Sequence, residues 1–114
     1  MTFREIASLI DSMGFPAAYY QFPARTGIAP PFICFYYPNN MDMKADDSNY
    51  QKIEHLIIEL YTDKKDFEAE AAVEAVLAQN EMVWRRTETG IDSERMYEVV
   101  YELDVIITED LANG

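Results

Sequence analysis

QKIEHLIIELYTDKKDFEAEAAVEAVLAQN, residues 51–80, is the stretch whose reading decides the fold. By alternation, residues 51–62 split into two rows, with Glu54, Leu56, Ile58 and Leu60 on one side and Ile53, His55, Ile57, Glu59 and Tyr61 on the other. Beyond Glu54 the first row is wholly apolar and needs a cover. The chain supplies one at once: Ala69, Val73, Val76 and Leu77 recur at the spacing of one helical stripe, predicting a helix that runs to residue 79. In the second row Ile57 and Tyr61 flank Glu59, too apolar for a solvated face and too charged for a core. That mixture predicts a surface meant for a partner.

Downstream, residues 82–89 read as a strand, residues 90–93 as a turn and residues 95–107 as a long final strand. The final strand alternates cleanly. Tyr97, Val99, Tyr101, Leu103 and Val105 make an apolar row, while Glu98, Glu102 and Asp104 interrupt the other, so a slip of one residue would drive three carboxylates into the core. The tail, residues 109–114, is expected to fray.

Upstream, Thr2 and Glu5 match a capping box, and Phe3, Ile6, Leu9, Ile10 and Met13 fall on one helical face before Gly14 ends the run. Residues 17–22 read as a strand, and residues 24–31 as a loop. FICFYY, residues 32–37, is apolar on both sides, as a strand covered from two directions would be, and Pro38 is expected to close it. Residues 38–50 have loop composition and carry Met41 and Met43. Together these elements predict one α+β domain over residues 1–114, in the order α-β-β-β-α-β-β. Its sheet is mostly antiparallel and both helices pack on one face. Two helices cover one side of such a sheet and leave the other bare, which predicts oligomerisation through that face or its rim.

Composition narrows the chemistry. Twenty-one acidic residues against nine basic ones give a formal charge of −12, which argues against gripping a phosphate backbone in a sequence-specific or general way. Cys34 is the only cysteine and His55 the only histidine, so neither a disulfide nor a zinc cluster can be drawn, and a reducing compartment is favoured. Arg4, Glu5 and Asp11 interrupt residues 1–13, so no signal peptide or membrane span is read there. His55 lacks a nucleophile and an orienting acid in any recognisable motif, and Cys34 sits in an apolar strand as a buried thiol. Asp42, Asp46 and Asp47 lack the spacing and the glycine of a calcium loop. Arg85 and Arg86 beside Trp84 are too few for a nucleic-acid groove, and pairing with Glu88 or Glu94 accounts for them. No catalytic, metal or cofactor residues are assigned, and an enzyme is not expected.

Two surfaces remain as candidates. Tyr36, Ile57, Glu59, Tyr61, Met41 and Met43 are read as a subunit or partner interface. Glu98, Glu102 and Asp104 are read either as an ordinary solvent face or as the wall of a lumen past which a polyanion slides.

Tyr50 to Leu77, with PFICFYYPNN before it and TETGIDSERMYEVVYEL after it, resembles a family of small tail components of siphophages and prophages of Gram-positive bacteria. Their genes lie in the neck cluster between the head-connector and major tail genes. The resemblance spans residues 15–107 and rests on ELYTDKKD, the acidic alanine-rich helix and the IDSERMYEV hairpin taken together. In element order the chain is similar to the tail-terminator fold. That resemblance implies a hexameric ring of identical copies that ends the tail tube and meets the head connector. It also implies assembly in the host cytoplasm, and residence in the virion at the head–tail junction. A head-closure or minor tail role is the near alternative, and an acidic monomeric inhibitor that mimics DNA is the distant one.

Overall fold

A computed structural model of the chain describes residues 1–22, 27–40, 43–44, 50–91 and 96–108, with residues 43, 44, 50 and 51 described by their backbone. Helix α1, Phe3–Asp11, starts where the capping box puts it: the Thr2 hydroxyl accepts from the Glu5 amide at 3.0 Å, and the Thr2 amide donates to Glu5 Oε1 at 2.8 Å. Strands β1, Ala17–Tyr19, β2, Phe32–Asn40, β3, Met43–Lys44, and β4, Tyr50–Thr62, follow. Helix α2, Phe67–Gln79, leads to β5, Arg85–Ile91, and β6, Met96–Ile107. The strands lie in the order β1-β2-β4-β6-β5, with β3 paired to β4 off that path. All pairs are antiparallel except β1 with β2. The expected α+β architecture is thus present, with β4 at the centre.

Both helices pack on one side of the sheet. Leu56, Ile58 and Leu60 of β4, Val99, Tyr101 and Leu103 of β6, and Ile33 of β2 meet Ile6, Leu9 and Ile10 of α1 and Ala69, Val73 and Leu77 of α2. The alternation argued from residues 54–60 and 97–105 therefore picks out the core row in both long strands. Val76 lies at the margin of that core, partly buried. The helix begins at Asp66, whose carboxylate accepts from the Ala69 amide at 3.0 Å, and the acids behind it suit the positive end of the helix.

An ion-pair network fastens α2 to the β5 edge. Glu70 is buried, and Lys65 Nζ lies 3.0 Å from its Oε1 and 2.8 Å from its Oε2. Arg86 reaches Glu70 at 3.6 Å and Glu74 at 2.9 Å, Lys65 also meets Glu88 at 2.7 Å, and the buried Tyr101 hydroxyl donates to Glu74 at 2.9 Å. Arg86 is therefore held by helix acids rather than by a neighbour in its own hairpin. Glu94 lies outside the described residues, as do the calcium-like aspartates, residues 92–93 of the expected turn and the tail.

Several element boundaries differ from the sequence reading, β5 also running on to Ile91. β1 stops at Tyr19 because Tyr20 takes a left-handed conformation, φ 69, and the chain turns away. β2 passes through Pro38, which has no N–H to donate. The strand absorbs it in an irregularity of register between Tyr36 and Asn39, and continues to Asn40. Within the stretch read as one loop, Met43 and Lys44 pair with Gln51 and Tyr50. β5 begins at Arg85 rather than at residue 82, because Glu81 (φ 58) turns the chain at the end of α2 and Met82 and Trp84 pack against the core edge.

Candidate docking face

The side of the sheet away from the helices is built by the alternate residues of each strand. Register sets them side by side: Tyr36, Ile57, Glu102 and Arg85 in one row, Cys34, Glu59, Val100 and Thr87 in the next, and Phe32, Tyr61, Glu98 and Thr89 in the third. One row in the other direction holds Asn39, His55 and Asp104. No described helix lies over them.

Aromatic rings dominate the β2 side of this face. Phe32 stacks on Tyr61 with centroids 5.0 Å apart, Phe22 meets Phe32 edge-on at 5.5 Å, and Tyr20 meets Tyr36 at 5.6 Å. The left-handed turn at Tyr20 thus folds residues 20 and 22 back along the rim of the face, which the strand reading of residues 17–22 missed. The only sequence signal for it was the cluster of tyrosine and phenylalanine just before Pro23.

Carboxylates occupy the centre. Tyr61 donates to Glu98 Oε2 at 3.0 Å, and Glu98 is the diagonal neighbour of Glu59. Burial first, and then the hydrogen bond with the Glu98 carboxyl, push Glu59 up to about 7. Burial also pushes the Tyr61 and Tyr36 phenols and the Cys34 thiol above their ordinary values. Cys34 is a shielded thiol with no activating base.

His55 sits between two acids. Its Nδ1 lies 2.9 Å from Asp104 Oδ1 and its Nε2 lies 3.3 Å from Glu102 Oε1, so both ring nitrogens act as donors when the imidazole is charged. The Asp104 hydrogen bond is the main reason that its pKa is raised, ahead of the opposing cost of burial and the further help of Glu102. With both nitrogens committed to carboxylates, His55 is a charge clamp, and neither nitrogen is open to act as a base.

The two surfaces read separately from sequence are therefore one. Tyr36, Glu59 and Tyr61 lie half-buried beside Glu98 and Glu102, with exposed Asp104 adjoining. Ile57 belongs to the same face but is only 6% exposed, shaded by its neighbours, and presents little surface of its own. Met41 lies outside the described residues, and Met43 is described only as part of β3. The acid row is not bare: two of its three members hold His55 and the third accepts from Tyr61. Neither tie could be read from the sequence, since both depend on the β4–β6 register, which no hairpin fixes. Among the described residues no His, Cys, Asp and Glu group is arranged to hold a metal ion, and no helix is long and apolar enough to cross a membrane.

No family model matches the chain, and no curated protein matches it. Among solved structures the chain is similar to a chain from the virion of a native gene transfer agent particle. The likeness has a TM-score of 0.56 at 15% identity, and covers 91% of this chain and 88% of that one. At that identity the likeness is one of fold.

Proposed function

We propose that this chain is a structural component of a virion, a ring-forming neck protein that ends the tail tube and joins it to the head connector. The observation that carries the reading is the sheet face away from the helices, where five aromatic side chains, Tyr20, Phe22, Phe32, Tyr36 and Tyr61, border half-buried carboxyls that no described helix covers. A fold shared with a chain from a virion supports it, and so does the residue pattern of the tail-component family. In this reading Tyr36, Glu59 and Tyr61 are contact residues and Ile57 supports them from below. Among the described residues β5 pairs with β6 alone, which leaves its outer rim available to a neighbouring copy.

The DNA-mimic alternative and the lumen reading both need carboxylates turned bare to solvent. Glu98 and Glu102 are half-buried and hold Tyr61 and His55, and of the three only Asp104, which also holds His55, is exposed, which favours a face prepared for protein contact. Light scattering across a concentration series, with electron microscopy of the same samples, tests the proposal. Closed rings of identical copies are expected, alone or on addition of tail tube protein; a monomer under every one of those conditions would overturn it.

A further inference from the structure

The charge of the uncovered face says what kind of molecule fits it. Glu59 and Glu98 are diagonal neighbours at its centre, and no described lysine or arginine forms an ion pair with either. Lys65 and Arg86 are spent on Glu70, Glu74 and Glu88 at the helix side, His55 is held by Glu102 and Asp104, and Arg85 stands across from Glu102. Beside the two carboxyls lie Tyr36 and the stacked pair Phe32 and Tyr61. Ring faces attract cations, and a planar guanidinium both stacks on a ring and bonds to carboxylate oxygens. Paired carboxyls within an aromatic frame are the complement of such a group.

A second copy is a poor source of it. Each copy carries a formal charge of −12, so two copies brought together at their most acidic ground repel. A basic partner is drawn in by the same field.

Resting on the reading of this face as a protein contact, we propose that it docks a basic protein other than this chain, seating an arginine of that partner across Tyr36 and Tyr61 against Glu59 and Glu98. Docking then displaces the proton that burial, helped by the neighbouring Glu98 carboxyl, keeps on Glu59. The groups facing Glu59 are Cys34 and Tyr36 from β2, Tyr61 from β4, Glu98 and Glu102 from β6, and Arg85 at the β5 edge. The thiol and both phenols are pushed upward, away from neutrality, so the sign is set by Glu59: docking strengthens as pH rises through about 7.

The test uses the full chain and N-acetyl-arginine amide, read by NMR at the Glu59 carboxyl and the Tyr36 and Tyr61 rings, with N-acetyl-citrulline amide as the uncharged match in shape. Saturable shifts are expected from the arginine compound alone, weakening roughly thirtyfold between about pH 8 and about pH 5.5 as the competent form is depleted. Glu59→Gln, which copies the protonated acid and so keeps the fold, is expected to abolish them. Equal shifts from citrulline, shifts that ignore pH or survive Glu59→Gln, or no shift at all would overturn the proposal. Self-association of the free chain that Glu59→Gln removes would overturn it too, by giving the face to a second copy. Rings that form while the arginine compound leaves this face untouched would remove this inference and leave the structural role standing.

Discussion

At the scale of single residues, two groups on the uncovered face tie stability to pH, and both act in the same direction. His55 has a raised folded pKa, so its clamp stabilises fully below the ordinary histidine value and is lost as pH rises through the raised one. Replacing it, His55→Asn, is expected to cost about 0.5–1 kcal/mol near pH 6 in urea unfolding, and less near pH 8, the small size reflecting a partly solvated pair. Glu59 is an acid whose folded pKa is raised to about 7, so the stability it allows is complete below the ordinary carboxyl value and falls as pH climbs through about 7. Glu59→Gln is therefore expected to gain about 1 kcal/mol near pH 8 and nothing near pH 4, after discounting for partial exposure. Equal effects at both pH values would contradict the raised Glu59 value. The sequence made Glu59 suspect by placing a charge between Ile57 and Tyr61, but it could not say that Glu98 would be the neighbour. That depends on which residue of β6 lies across from Tyr61, and the two strands are separated by a helix and a third strand.

At the scale of elements, periodicity carried most of the information, because burial of one face dictates it. The rows at residues 54–60 and 97–105 and the α1 stripe of Ile6, Leu9 and Ile10 all mark the core correctly. What periodicity could not show is polar chemistry inside α2. Glu70 lies beside Ala69 on the packed side of the helix, with its side chain only 5% exposed, and it is tolerated there because Lys65 and Arg86 reach it. Lys65→Met is expected to lower the midpoint of thermal or urea unfolding clearly more than an exposed substitution does, since it leaves a buried carboxylate without its nearest cation. A loss no larger than that of an exposed substitution such as Lys64→Met would mean that Arg86 alone suffices. Boundaries were lost where single backbone conformations decided them, at Tyr20, Glu81 and the β2 irregularity around Pro38. Conformations of that kind leave no pattern in hydrophobicity.

At the scale of the whole molecule, the arrangement is lopsided: a core on the helix side, and on the other side aromatic rings around carboxyls, with β1 and β5 as the edge strands among the described residues. A chain that folded only for itself would gain by solvating that side, and this one keeps its rings there. The uncovered face was legible in outline, because two helices of ordinary length cannot cover both sides of a sheet. Its unity was not, because contact residues and acid row come from different strands. The measurement that bears most directly on the central claim is oxidative footprinting of tyrosines in the dispersed chain and in assembled particles. Tyr36 and Tyr61 are expected to lose most of their labelling on assembly, while Tyr101, already buried in the core, stays unlabelled throughout. Labelling of Tyr36 and Tyr61 that is the same in both states would contradict the account.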